Sequence, residues 1–494
     1  MRLFAQLPFV FAVAWGCRTG GLYATPRPVP RPVARLRAAI DSMVGQPEFS
    51  NANWGILIVD PTSGDTLYSR NAGKLFMPAS NMKILTTSTA LTQLGPNFQY
   101  HTVFAARGAV ADSTLGGDLL VIGRGDPSVS DHMRHDAMAP LDSVADSLRA
   151  RGITRITGRV VAYGDAFPGE HYGYGWTYDD FEDDYSAPID ELLFNEGVSE
   201  LHVHAGAQAG DPVQVAVWPA HTVPRVRVAA TTVAAANAPA PRDSNAIHAR
   251  KDSVSWDEIV EGRIGVGDST VLLVTHHDPD QAYIGAVREA LASRGIAVLG
   301  GATDTLARID TLVTMTSPPL SEILKALLKP SQNQLAEMLF RTLALQATGT
   351  GRPDSAQAIV ERQIAQWGVV VPSEAVVRDG SGLARYDYVS PQTLVRILDA
   401  MRRAPTFNVF YDALPIAGVD GTLENRMKGT PADSNVHAKT GSVALARSLS
   451  GYVTTADRRM LIFSFLCNNW TTPTREVEHV QDAILARLAG MRLH

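Results

Sequence analysis

The stretch Met77-Pro78-Ala79-Ser80-Asn81-Met82-Lys83-Ile84-Leu85 decides how the rest of the chain is read. Residues 80–94 predict a helix. Lys83, Ile84 and Leu85 lead into Ala90, Leu91 and Leu94, and Gly95-Pro96 stops it. Residues three apart on a helix share a face, so the Lys83 amine can reach the Ser80 hydroxyl. Serine is a weak nucleophile until a base takes its proton. Lysine is that base only if desolvation or a neighbouring cation lowers its pKa from ~10.4 toward neutrality. The positive end of the helix favours negative charge developing beside Ser80. Taken alone, the plainer reading is favoured: an N-terminal serine followed by a surface lysine.

Two more triplets change that balance. Ser331-Gln332-Asn333 follows Lys329-Pro330 and opens a second predicted helix, 332–346. A hydroxyl there can relay a proton, and an amide can both donate to and accept from a peptide. On its own, Ser331 reads as an N-cap. Lys439-Thr440-Gly441-Ser442 holds the only Lys-Thr-Gly of the chain and leads into two strand-like runs, 445–453 and 460–467. An ammonium and a hydroxyl side by side can hold a carboxylate. The glycine lets a substrate backbone lie against the strand edge.

Working outward, residues 54–70 read as a hairpin. Gly55-Ile56-Leu57-Ile58-Val59 is an apolar strand, Pro61-Thr62-Ser63-Gly64-Asp65 is turn chemistry, and Thr66-Leu67-Tyr68 resumes the extended pattern. Residues 321–328 are helical, and a terminal helix places Val477, Val480, Ile484 and Leu488 on one face. Strands at both ends with helices between predict one α/β body. Residues 97–316 differ in character, with short strands, turns and a few helices, and look inserted into it. Within them, 228–242 is rich in Ala and Pro and reads as an exposed loop.

Composition sets the outer limits. At ~150 residues per domain, 494 residues amount to about three domains. With 45% hydrophobic and 19% charged residues, a disordered or fibrous chain is excluded. Lys+Arg 44 against Asp+Glu 50 argues against a general nucleic-acid binder. Two cysteines, Cys17 and Cys467, exclude a disulfide framework and a multi-cysteine zinc site. Cys467 lies in an apolar strand and reads as an inert core thiol.

The first 24 residues read as an export signal: Arg2 ahead of an apolar run, 3–15, too short for a membrane span. A buried N-terminal helix is the rival reading, and Pro8 weakens it. Ala14-Trp15-Gly16-Cys17 resembles a lipoprotein cleavage site, where Cys17 would be acylated as a membrane tether. Leu22-Tyr23-Ala24 is the alternative cut. Residues 25–34, with alternate prolines, read as an extended spacer.

All three triplets occur in the order Ser-x-x-Lys, Ser-x-Asn, Lys-Thr-Gly, the signature shared by penicillin-binding proteins and class A β-lactamases. The chain resembles the D-alanyl-D-alanine carboxypeptidase/endopeptidase family, the low-molecular-mass class C penicillin-binding proteins. The distance from Ser80 to Ser331 supports that choice, because this family carries extra domains between those motifs. Gly125-Asp126-Pro127, 175–180, 185–188, Asp379-Gly380-Ser381-Gly382-Leu383 and 417–423 also match.

The resemblance implies an α/β (α+β) fold: a β-lactamase/transpeptidase-like catalytic domain with an antiparallel sheet and flanking helices, plus inserted mainly-β domains. The catalytic domain would comprise 35–96 and 317–494. One insertion would span 97–200 and 266–316, and a second 201–265. Ser80 would be the acylated nucleophile, Lys83 its proton acceptor and Ser331 the relay to the leaving amine. Asn333 would hold the substrate amide, and Lys439 and Thr440 the terminal carboxylate. Gly441 would let the substrate approach, and the N–H groups of Ser80 and Ser442 would form the oxyanion hole.

The implied partners are peptidoglycan peptides, with β-lactams as covalent inhibitors, outside the cytoplasmic membrane. No cofactor, metal or nucleic acid is implied. A β-lactamase or esterase of the same fold, and a non-catalytic wall-binding scaffold, are the rivals.

Other signals read as bland. Glu191-Leu192-Leu193-Phe194-Asn195 mimics the deacylating Glu-x-x-x-Asn element of class A β-lactamases but precedes Ser331 instead of following it, so Glu191 reads as structural. His202, His204 and His276-His277-Asp278 read as sheet and turn residues rather than ligands. The acidic run 179–184 reads as a solvated loop.

Overall fold

The computed structural model describes residues 30–493, apart from 182, 221, 223–224, 241–242, 253 and 303–306. The export signal and Cys17 lie outside the described residues, as do 25–29 of the spacer. The remainder of that spacer is not extended. Helix α1 (Arg31–Val44) starts inside it, with Pro30 at its N-cap and Pro32 in its first turn. Proline is tolerated there because the first N–H groups of a helix have no intrahelical partner, and its fixed φ suits the helix. Val33, Leu36, Ile40 and Val44, at helical spacing, supply the buried stripe.

Strands β1 (Asn53–Asp60) and β2 (Asp65–Arg70) form the expected hairpin. Helix α2 (Met82–Gln93) follows, and after the long central segment come α3 (Asn333–Thr348) and α4 (Pro391–Arg403). Strands β3 (His437–Val443), β4 (Ala446–Thr454) and β5 (Met460–Asn468) lead to the terminal helix α5 (Thr474–Gly490). The five strands make one antiparallel sheet in the order β2-β1-β5-β4-β3. The pairing of β1 with β5, Trp54 opposite Cys467, closes the two ends of the chain on each other.

Both faces of this sheet are covered, so its strands carry apolar residues on either side. Ile56, Ile58, Phe463 and Phe465 point to α1 and α5, where they meet Leu36, Ile40, Ile484 and Leu488. Leu57, Ile462 and Leu466 point the other way, into a core with Leu85, Leu339 and Ile397. Helix α2 runs through that second core. Every residue from Met82 to Leu91 is buried, the pattern of a helix packed all round rather than on one face.

The central segment builds its own sheets. Ile309–Thr316, His101–Arg107, Asp118–Ile122 and Val160–Ala162 lie side by side, covered by helices Ala139–Ala150 and Pro279–Ser293. Strand Val198–His204 pairs with Gln214–Trp218 on one side and Ser269–Thr275 on the other. Its sheet is therefore continuous across residue 200, where a division was expected. Residues 228–242 are not wholly a loop. Thr231–Val233 pairs with Arg263–Gly265, and the buried Thr232 hydroxyl accepts the Gly206 N–H. A hydroxyl anchor of this kind leaves no trace in an Ala- and Pro-rich composition.

Candidate active site

Ser80 lies in a short 3-10 turn, Ala79–Asn81, immediately before α2. Ala79 adopts a left-handed φ of 48°, uncommon without a glycine. The turn is held in that form from three strands. The Ser448 hydroxyl of β4 donates to Pro78 O at 2.6 Å, and Asn81 Nδ2 donates to Lys439 O of β3 at 2.9 Å. The Asn468 side chain of β5 takes the Met77 N–H at 2.9 Å and returns a bond to Met77 O at 3.2 Å. Strand β3 passes so close that a Cβ on Gly441 would lie 2.6 Å from Pro78 O and 3.1 Å from Ser80 N. Only glycine fits there.

Lys83 is wholly buried. Its Nζ stands 3.0 Å from Ser80 Oγ, 2.6 Å from Asn333 Oδ1 and 2.9 Å from Ser381 O. Burial lowers its pKa to about 7, against the opposing pull of Asp379 and Glu337. The amine is thus near neutrality, touching the hydroxyl it would deprotonate. This meets the desolvation condition set out above.

Asn333, at the start of α3, is engaged at both ends: Oδ1 to Lys83 and Nδ2 to Tyr185 O at 2.7 Å. Ser331 is not the N-cap; Gln332 is. Ser331 has a left-handed φ of 72° and lines the cleft. Strained non-glycine residues of this kind persist where the surroundings over-determine them, often at functional sites.

Lys439 is buried behind the wall of the cleft. Its Nζ donates to Thr440 O at 3.0 Å, and burial followed by the charge of Lys83 pushes its pKa well down. Thr440, Gly441 and Ser442 do line the cleft, and Thr440 Oγ1 bonds Thr422 Oγ1 at 2.7 Å. The cleft holds about 400 Å³. The structure therefore brings Ser80, Lys83, Ser331, Asn333, Lys439, Thr440, Gly441 and Ser442 together from three places in the chain.

Several lining groups were given no role by the sequence, although some lie in stretches that match the family. The acidic run is solvated over most of its length, yet Asp180 and Tyr185 reach into the cleft. Tyr185 Oη binds Asp180 and Asp183 at 2.8 and 2.7 Å, and Gln334 Nε2 ties Asp184 O to α3 at 2.8 Å. A run of charge says nothing about which body a loop folds over. Arg385 and Leu383, beside Gly382, complete the rim. Glu337 and Asp379, buried beneath Lys83, accept backbone N–H groups from the 380–384 turn. Glu337 could have been found from its place four residues after Asn333.

Glu191 is buried outside the cleft, accepting the Phe167 N–H at 3.1 Å, with burial and Asp190 raising its pKa to about 7. His202 pairs with Glu200, His276 with Ser199, and His277 stacks on Trp256, so these histidines make no common cluster. Cys467 is buried in β5, and desolvation raises its thiol.

A five-stranded antiparallel sheet with a Ser–Lys pair at the head of a buried helix defines a serine hydrolase of the β-lactamase/transpeptidase-like fold. The chain belongs to the D-Ala-D-Ala carboxypeptidase 3 (S13) family, whose model matches residues 36–490. A D-alanyl-D-alanine carboxypeptidase from Actinomadura sp. (strain R39) is 33% identical over 479 residues, covering 94% of this chain and 86% of its own. The D-alanyl-D-alanine carboxypeptidase DacB of Haemophilus influenzae is 26% identical over 440 residues, covering 86% and 87%. In fold, the chain matches the crystal structure of penicillin binding protein 4 from Haemophilus influenzae. The TM-score is 0.74 at 23% identity, covering 91% of this chain and 97% of that one.

Proposed function

We propose that the chain is a serine-type D-Ala-D-Ala carboxypeptidase and DD-endopeptidase, acting on peptidoglycan stem peptides and cross-links through an acyl-enzyme on Ser80. Lys83 takes the Ser80 proton, and Oγ attacks the carbonyl carbon between two D-centred residues. The N–H groups of Ser80 and Ser442 receive the oxyanion; losing one such donor costs about 2.7–4 kcal/mol in the barrier. The C–N bond breaks and the departing amine receives a proton through Ser331. Water then hydrolyses the ester. Thr440 receives the substrate's terminal carboxylate, with the buried Lys439 amine behind it. In this reading Asn333 exchanges its bond to Tyr185 O for the substrate amide. Residues 35–96 and 317–494 form the catalytic unit, with 97–316 inserted between them.

The observation that carries the reading is the contact of a buried, near-neutral Lys83 amine with Ser80 Oγ at 3.0 Å. The family also supports a place in the cell envelope, reached through an export signal that ends either by acylation at Cys17 or by ordinary cleavage after Ala24. No helix among the described residues is long and apolar enough to cross a membrane. The β-lactamase reading is weaker. Asp180 is the one carboxylate among the described residues lining the cleft, and Thr177 and Tyr185 occupy its oxygens. A β-lactam should therefore acylate Ser80 and leave slowly. Mass spectrometry of the intact protein after penicillin treatment tests this. One adduct on Ser80, absent in Ser80→Ala, is expected; an unmodified wild-type protein refutes it.

A further inference from the structure

Lys83 needs more than proximity to act as a base. A neutral amine has two N–H groups and one lone pair. Asn333 Oδ1 and Ser381 O, at 2.6 and 2.9 Å, occupy the two N–H groups, which leaves the lone pair to face Ser80 Oγ. The aim of the base therefore depends on where the Ser381 carbonyl is held.

That carbonyl sits in a tight turn, and Glu337 grips the turn from below. Glu337 Oε1 accepts the N–H of Gly380 at 3.0 Å and of Ser381 at 2.7 Å. The Thr86 hydroxyl of α2 holds Gly380 O at 2.8 Å, and Asp379 takes the Gly382 and Ala384 N–H groups at 2.6 and 2.7 Å. Glu337 is 5% exposed. It does not line the reaction cleft. It lines a separate cavity of about 350 Å³, together with Asp379, Phe340 and Tyr172. Asn333 and Glu337 stand four apart on α3, so one helix face supplies both acceptors of the amine, the first directly and the second through a backbone carbonyl.

We propose that Glu337 is a positioning residue for acyl transfer: it clamps the Gly380 and Ser381 amides and thereby fixes the Ser381 carbonyl that orients Lys83. The inference rests on Ser80 being the acylated group. An amide oxygen can accept the same two N–H groups, so Glu337→Gln keeps the clamp. Glu337→Ala removes it, and Glu337→Asp keeps the carboxyl group but draws the oxygen back by one methylene.

The test is stopped-flow acylation by a fluorescent penicillin, resolved into pre-covalent affinity and the acylation rate constant, with thermal melting as the control for folding. Base catalysis contributes 10²–10⁴-fold, so partial misdirection of the amine in Glu337→Ala should slow acylation about 30-fold or more. Affinity should stay within about threefold, because Glu337 does not face the cleft. Glu337→Gln should acylate within about fivefold of wild type, the rescue that an acceptor role requires. Glu337→Asp, the fallback if the alanine variant does not fold, should be slowed about tenfold or more. Wild-type acylation rates in Glu337→Ala or Glu337→Asp, or a glutamine variant as slow as the alanine one, would overturn the proposal. The wild-type protein in the same assay tests the reading beneath it separately: no adduct there removes both, whereas a normal wild-type adduct with unaffected variants removes the clamp alone.

Discussion

Lowering the pH from 7.5 to 5.5 should slow acylation of Ser80 by a calculable amount. Acylation requires the uncharged Lys83 amine, which burial brings to a pKa of about 7. At pH 7.5 about three-quarters of the molecules carry that base, and at pH 5.5 about 3%, so the second-order rate constant should fall about 25-fold. An ordinary lysine at ~10.4 would be uncharged in only about 0.04% of molecules at pH 7, with no plateau below pH 9. The sign follows from desolvation: burial disfavours the ammonium, while Asp379 and Glu337 pull the other way, so the fall is centred near 7 and not lower. The assay is acylation by a fluorescent penicillin across pH 5–9, with circular dichroism to show that the protein stays folded. A rate that is flat from pH 5 to 8, or that keeps rising tenfold per unit up to pH 9, would refute the reasoning.

Two further outcomes follow from packing. Gly441→Ala must push β3 off the turn that carries Ser80, since its Cβ would lie 2.6 Å from Pro78 O. It should cost about 1–3 kcal/mol in denaturant unfolding and slow acylation more than tenfold; near-normal values of both would show that the strand can yield. Leu488→Ala opens the core beneath α5, where Leu488 is wholly buried. About 2–5 kcal/mol of stability should be lost, with acylation of the folded fraction unchanged, and a loss of acylation instead would tie α5 to the cleft.

The sheet and its covering helices were legible because their residues repeat at fixed periods. The hairpin 54–70 shows an apolar run, turn residues and a second extended run, and the terminal helix shows Val477, Val480, Ile484 and Leu488 on one face. Ser80, Ser331 and Lys439 were legible because their types are rare in that order. The spacer was misread over 31–34, since proline in a first helical turn looks the same in sequence as proline in an extended segment. Asp180 and Tyr185 lie in stretches that match the family, but their role at the cleft was not legible, and Arg385 was silent. Their place at the cleft depends on a central-segment loop folding back over α3, a contact between residues about 150 apart that no local pattern records. Glu337 shows only its spacing of four from Asn333, because its partners are backbone amides, which every sequence possesses.

The turn bearing Ser80 is anchored by a hydroxyl 370 residues further along the chain, and the strand opposite β1 is the last of the sheet to be made. A ribosome therefore releases the reactive serine early and its supports late. Until the last two strands are in place, the bonds from Ser448 and Asn468 that hold this turn cannot form. Loss of even the last strand should abolish function without touching any group that meets substrate.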